Sequence, residues 1–322
     1  MNINFKDSPK ILNDFYNYLL STKNYSLGTV EGYYCSVLYF LKFIRKKNEI
    51  KAELKDFEIF IILGIEDSDI IAFMIFLNAY RKNNAKTRNL RLSAIKTFFS
   101  YIYDIYSIYC KDKKNPSENI DFAYTTNRLP KYLSIKEAKN LAKTFNEMNS
   151  KYHIRNNLII YSFLVTGLRK SELINLNIND IDFQNNTITI MGKGHKERII
   201  FVTDTLKQKI LEYIKTRRFE DLNCSDPLFV TTRNKRISES TIRYIVNQAY
   251  KLAGLENKQL TVHSLRHTAA TIMYKKTKGD ILIVKKFLGH SSIESTQIYT
   301  HIVNKELKKA YNANPLANYK VE

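Results

Sequence analysis

Strand signals occur at only one place in these 322 residues. Thr187–Ile190 and Glu197–Phe201 are β-prone runs, and the glycine-rich turn Gly192-Lys193-Gly194-His195-Lys196 lies between them, so the pair reads as a hairpin. Ile181–Phe183 offers a third short strand. Elsewhere the apolar residues recur at helical spacing. The chain is therefore expected to be mainly α with a small antiparallel β-sheet.

The helical pattern begins early. Val30, Tyr34, Val37, Leu41 and Ile44 share one face, with Asn24-Tyr25-Ser26 before them as capping side chains. A second helix is expected over Asp67–Tyr80. A third, from about Thr87, carries Leu92, Ile95, Phe98, Phe99 and Ile102 on one face. These describe a compact helical bundle over residues 1–110. Arg81, Lys82, Lys86, Arg88 and Arg91 crowd the start of the third helix, either as a solvated face or as phosphate contacts. Residues 111–130 are polar and aperiodic, hold Pro116 and Pro130, and read as a linker. The second domain, 131–322, opens on a capping box, Ser134 with Glu137, ahead of the stripe Ala138, Leu141 and Phe145. An apolar helix over about Arg155–Thr166 ends at Gly167. Helices return after the hairpin at Leu206–Lys215, Glu239–Ala253, Leu265–Tyr274, Ile281–Leu288, Ile293–Tyr299 and Lys305–Tyr311.

Charge narrows the partners. Fifty-one Lys and Arg face 31 Asp and Glu, a net charge of +20. Such an excess suits a polyanion, though a Lys-rich codon bias gives the same count. The 3 cysteines, Cys35, Cys110 and Cys224, are scattered and form no C-x-x-C, which fits free thiols rather than a disulfide frame or a zinc site. The N-terminus lacks the apolar segment of a secretion signal, and the longest apolar runs are too short to span a bilayer. No membrane association is expected, and the location is read as cytoplasmic.

Several segments carry chemistry. Phosphoryl transfer between oxygens needs a nucleophile, donors for the phosphoryl oxygens and an acid for the leaving oxygen. Arginine supplies a planar, permanently charged fork for phosphate, and lysine a mobile acid. Arg169 with Glu172, Lys193 in its glycine turn, His263 with Arg266, His290 after Gly289, and Tyr299 are the candidates. Each has a plain structural reading by itself. Arg169 can pair locally with Glu172, and Lys193 can be a hairpin tip. His263 can be a core histidine and Arg266 a surface residue. Gly289-His290 can be a helix cap, and Tyr299 a core tyrosine beside Ile293 and Ile298.

Taken together, the order Arg, Lys in a β-turn, His-x-x-Arg, Gly-His, Tyr resembles the tyrosine site-specific recombinases, and among them the bacterial Xer proteins and related integrases. The phrases are T-G-L-R-K-S-E-L over 166–173, G-K-G-H-K-E-R over 192–198, H-S-L-R-H-T over 263–268 and L-G-H-S-S-I-E-S-T-Q-I-Y-T-H over 288–301. The resemblance covers the second domain and is weaker over 1–110. It implies a helical, SAM-like core-binding domain and an α+β catalytic domain that close on double-stranded DNA as a C-shaped clamp. It also implies Tyr299 as nucleophile, forming a 3′-phosphotyrosyl link with release of a 5′-hydroxyl. Arg169 and Arg266 then hold the non-bridging oxygens, Lys193 protonates the leaving oxygen with Lys196 as rival, and His290 bonds the phosphate. His263 assists proton transfer, and Glu172 braces the arginines.

One ester replaces another, so no ATP is needed, and the cations stand where a metal would. The expected cofactor list is empty, with activity retained in excess chelator. The resemblance further implies four protomers, identical or paired with a paralogue, on two copies of a specific core site, with a Holliday junction between. The tail Val303–Glu322 is expected to dock on a neighbour. Helices begin almost at once, which favours a Xer-like role in chromosome dimer resolution or DNA inversion over an integrase of a mobile element. A type IB topoisomerase-like enzyme and a non-catalytic DNA-binding protein are the remaining readings.

Overall fold

The computed structural model describes residues 5–111, 113–126, 130–146, 152–192, 197–217 and 226–289. Two compact units divide the chain, Met1–Asn127 and Arg128–Glu322.

The described residues of the first unit form helices joined by turns and loops, with no strand among them. Its helices are α1 (Lys10–Ser21), α2 (Leu27–Lys47), α3 (Ile59–Leu63), α4 (Asp67–Ala79) and α5 (Ala85–Ile105). Every residue of the expected stripes on α2 and α5 is buried: Val30, Tyr34, Val37, Leu41 and Ile44, and Leu92, Ile95, Phe98, Phe99 and Ile102. Rings fill the centre, with Phe40 against Phe73 and Phe15 edge-on to Phe98, both at 5.2 Å between centroids. A buried ring of this kind stabilises by about 1.5–3 kcal/mol through burial alone. Tyr33 Oη and Ser93 Oγ, 2.9 Å apart, tie α2 to α5.

Caps set where these helices start. Asn84 accepts from the Thr87 N–H and opens α5. Ser26 occupies the N-cap position of α2, but its hydroxyl meets Thr29 Oγ1 at 2.8 Å rather than a backbone N–H. The expected capping by Asn24-Tyr25-Ser26 is thus a side-chain pair. Helix α1 and the short α3 were not separately expected from the sequence.

Of the basic cluster before α5, Arg88 is committed to Asn78 Oδ1 and the Asn83 carbonyl, each at 2.7 Å. Arg81 and Arg91 flank the Tyr39 ring, with guanidinium carbons 5.7 and 4.6 Å from its centroid. Lys82 and Lys86 are exposed. Beyond α5 the chain stays fastened to this unit: Lys113 Nζ donates to the Leu63 carbonyl at 2.9 Å, and Asn89 exchanges hydrogen bonds with Ala123.

The second unit contains α6 (Ile135–Leu141), α7 (His153–Thr166), α8 (Lys170–Asn175), β1 (Ile181–Asp182), β2 (Thr187–Met191), β3 (Glu197–Phe201), α9 (Asp204–Lys215), α10 (Glu239–Leu252), α11 (Val262–Lys276) and α12 (Ile281–Leu288). The three strands form one antiparallel sheet in the order β1-β2-β3. Ser134 and Glu137 make the expected capping box, and Leu133 N donates to Thr268 Oγ1 at 2.9 Å, joining the start of α6 to α11. Helix α7 runs through the core with Leu158, Ile159, Ile160 and Phe163 buried, and packs on both α9 and α11. The expected helices Ile293–Tyr299 and Lys305–Tyr311 and the tail from Val303 lie outside the described residues.

Among the described residues no helix is long and apolar enough to cross a membrane. Cys35 and Cys110 are free thiols, and Cys224 lies outside the described residues.

Candidate active site

Two helix ends create the site. Helix α7 closes at Gly167, whose φ of 62° is in the left-handed region and whose N–H reaches the Phe163 carbonyl. Glycine adopts that conformation without the clash a Cβ makes with the backbone. The turn places Arg169 at the start of α8 and Glu172 at its third position. Glu172 reaches back to the Arg169 N–H at 2.7 Å, as an acidic third residue of a helix does for the preceding orphan donor. Helix α12 closes at Gly289, again with φ 62°. A Cβ at Gly167 would lie 3.1 Å from both Leu288 Cδ2 and Phe287 Cε1, so the end of α12 is seated against the end of α7.

Arg266, one turn into α11, is buried where those ends meet. Its Nη1 donates to the Gly167 carbonyl at 2.6 Å and its Nη2 to the Leu288 carbonyl at 2.7 Å. Carbonyls at helix C-termini lack partners within their own helix and carry partial negative charge, so a guanidinium is a natural occupant. Arg266 is therefore an interior residue, in contrast to the plain surface reading its sequence position allowed.

Glu172 is the second centre. Its side chain is 4% exposed and both oxygens are fully used. Oε1 accepts from Arg169 Nη1 and Arg198 Nη1, each at 2.7 Å. Oε2 accepts from Arg198 Nη2 at 2.8 Å and from the Arg169 N–H, with Arg266 Nη1 at 3.9 Å. Four donors match the four lone-pair positions of a carboxylate. Burial pushes the carboxyl up, but the Arg198 and Arg169 donors outweigh it and hold Glu172 at about 2. Three guanidiniums against one carboxylate leave two positive charges in excess, a suitable field for a phosphoryl group in transfer.

His263 lies on the first turn of α11 and is exposed rather than a core histidine. Lost hydration, then Lys170, Arg266 and Arg169, push its pKa below 6.5. At neutral pH it is an uncharged imidazole beside cations, able to take up a proton. His267, one turn below, is pushed down to about 4 by burial, with His263 and Arg266 adding to the effect. Lys170 Nζ pairs with Glu239 Oε2 at 2.5 Å, which ties α8 to α10.

The structure thus brings Arg169, Glu172, Arg266 and His263 together. Lys193, Lys196, His290 and Tyr299 lie outside the described residues. Arg198 is the residue that the motif reading missed. A signal was available: in the register Ile188↔Ile200 and Ile190↔Arg198, the inward face of the hairpin is Ile188, Ile190, Ile200 and Arg198. A cation on an apolar inward face calls for a buried acid. Among the described residues, no group of three or more His, Cys, Asp or Glu could hold a metal ion.

Residues 131–306 match the family described as phage integrase family, and residues 12–104 match the phage integrase N-terminal SAM-like domain. The chain belongs to the phage integrase family, the tyrosine recombinases, and is a DNA strand-transferring enzyme of Xer-like site-specific recombination. It is similar to tyrosine recombinase XerC of Caldanaerobacter subterraneus subsp. tengcongensis, at 34% identity over 317 residues, covering 96% of this chain and 88% of that protein. It is also similar to tyrosine recombinase XerD of Oceanobacillus iheyensis, at 30% identity, covering 94% of this chain and 97% of that protein. Among solved structures its fold resembles that of the XerH site-specific recombinase bound to difH substrate in a pre-cleavage complex, with a TM-score of 0.69 at 24% identity, covering 94% of this chain and 84% of that one.

Proposed function

We propose that this enzyme recombines double-stranded DNA at a specific core site through a covalent tyrosine intermediate. Tyr299 Oη attacks the scissile phosphorus and a 3′-phosphotyrosyl bond forms as the bond to the 5′-oxygen breaks. Lys193 delivers a proton to that leaving oxygen. The phenol proton passes to His263, which is neutral at pH 7 because lost hydration and its cationic neighbours lower its pKa. Arg169 and Arg266 neutralise the non-bridging oxygens, His290 hydrogen-bonds the phosphate, and Glu172 holds the arginines. Attack by the freed 5′-hydroxyl reverses these steps on the exchanged strand, so bond energy is conserved and no nucleotide cofactor is consumed.

The single observation that supports this reading best is the cluster of Arg169, Glu172 and Arg266, with one arginine partly exposed and the other anchored inside. The Arg169 side chain is 37% exposed and within reach of a docked backbone, whereas that of Arg266 is 7% exposed and fixed by carbonyls. The net charge of +20 suits the polyanion. Residues 1–110 serve as the core-binding domain and 131–322 as the catalytic domain. Four protomers, identical or paired with a paralogue, act on two sites through a Holliday junction in the cytoplasm. The role is chromosome dimer resolution or inversion.

The test is covalent capture in the host, with denatured cells, isolation of protein-linked DNA and sequencing of the attached ends, alongside Tyr299→Phe. Adducts at one repeated sequence that vanish in the variant are expected. Adducts spread over unrelated sequences would instead indicate a topoisomerase-like enzyme, and adducts that persist in Tyr299→Phe would exclude that nucleophile.

A further inference from the structure

We propose that Arg198 is a positioning residue for strand transfer: through Glu172 and Gly289 it fixes where Arg169 and Arg266 present their guanidiniums. This rests on the reaction proposed above, in which those two arginines carry the phosphoryl charge.

Arg198 stands on the inward face of β3, whose other inward residue, Ile200, is buried, as are its cross-strand neighbours Ile188 and Ile190. A cation there loses hydration and needs a paired anion with good geometry. Glu172 supplies it, 26 residues away in sequence, through two parallel contacts at 2.7 and 2.8 Å. One contact sets a distance, whereas two parallel contacts also set the plane of the carboxylate. With that plane set, the remaining lone pair of Oε1 receives Arg169 Nη1 and that of Oε2 receives the Arg169 N–H. The direction of Arg169 is therefore inherited from Arg198.

The same side chain reaches the second arginine by another route. The space where a Cβ of Gly289 would sit is filled by Arg198: that Cβ would be 2.7 Å from Nε, 3.1 Å from Cζ and closer still to Cδ. The residue before Gly289 is Leu288, whose carbonyl holds Arg266 Nη2. Arg198 is thus wedged between the carboxylate that orients Arg169 and the backbone that orients Arg266. Its part in the reaction is therefore to act through these two groups. Both terminal nitrogens are on Glu172, and Nε is buried without an acceptor among the described residues.

The experiment uses the full chain and a nicked DNA carrying the captured core site, prepared with either an ordinary scissile phosphodiester or a methylphosphonate there. Methyl in place of a non-bridging oxygen removes the charge that the arginines neutralise. Arg198→Met and Arg198→Lys are compared with the unchanged enzyme for DNA affinity, thermal midpoint and rate of covalent adduct formation. For Arg198→Met, DNA affinity is expected to stay within about twofold while adduct formation on the phosphodiester falls on the order of 10- to 100-fold. On the methylphosphonate the same variant is expected to lose less than about threefold, because the misplaced arginines have less charge to meet. Arg198→Lys should fall between, and it carries the comparison if the methionine variant does not fold. An equal loss on both substrates would reduce Arg198 to a structural ion pair and overturn the proposal, as would an unchanged rate on the phosphodiester. If the unchanged enzyme forms no Tyr299-dependent adduct, the proposed reaction itself is wrong and this inference falls with it, a result distinct from either of the others.

Discussion

Arg198 grips Glu172 with both terminal nitrogens, at 2.7 and 2.8 Å, although β3 and α8 are separate in sequence. The pair is nearly out of water, with side chains 15% and 4% exposed. Removing one member of a buried pair costs more than the pair itself contributes, because it strands the other charge.

Glu172→Gln is therefore expected to destabilise the second unit by about 3–5 kcal/mol, the usual range for a broken buried pair. An amide has one accepting oxygen where Arg169 and Arg198 need two. The pH dependence has a definite sign. Glu172 is held at about 2 against an ordinary 4.5, so its contribution is complete above about 4.5 and is lost as pH falls toward 2. Urea unfolding at neutral and acid pH checks both points; a variant as stable as the parent at pH 7 would show that the carboxylate charge is dispensable.

The sequence discloses the long helices of the described residues and the hairpin, though not α1, α3 or α8, because the signals of the former are local. Val30 to Ile44 and Leu92 to Ile102 each present one stripe, and Ser134 with Glu137 announces a helix start within four residues. What stayed hidden depends on residues far apart in the chain. Arg266 looked like a surface residue because its acceptors, the carbonyls of Gly167 and Leu288, come from elements 99 and 22 residues away. Arg198 was read as one residue of a β-prone run, and only the pairing of β2 with β3 shows which way it points. Ser26 has the residue type of a cap, yet its hydroxyl pairs with Thr29 Oγ1 and caps no backbone N–H.

Two glycines separate backbone freedom from the crowding by Arg198. Gly254 and Gly289 have φ of 68° and 62°, but a Cβ at Gly254 meets nothing within 4 Å. Gly254→Ala should cost about 1–2 kcal/mol, the left-handed penalty alone, and leave adduct formation intact. Gly289→Ala must also displace Arg198, so it should lower the urea midpoint further and reduce adduct formation on the order of tenfold or more. Equal effects at the two positions would mean that the contact with Arg198 is inconsequential.

His267 should make stability fall in mildly acidic solution. In the folded chain it titrates at about 4, whereas an unfolded histidine titrates near 6.5. Between those values the unfolded state binds the additional proton, so stability declines as pH drops from about 6.5 to 4, by at most roughly 1.4 kcal/mol per pH unit. His263 and Arg266 both oppose a charge there. His267→Gln should flatten the decline in urea midpoint between pH 6.5 and 4.5, and an unchanged slope would assign the effect to other groups.

The seat of Arg266 is made of backbone: one carbonyl from the end of α7 and one from the end of α12. Every residue type has a carbonyl, so substitutions at Gly167 or Leu288 alter packing without deleting an acceptor. Chain length is a different matter, since each residue added to a helix advances its end by about 1.5 Å and rotates it by about 100°. The two helices thus act as rulers whose tips must meet at one guanidinium. For the seat of Arg266 the lengths of α7 and α12 matter more than the side chains that flank its two acceptors, so insertions and deletions have to be absorbed in the loops.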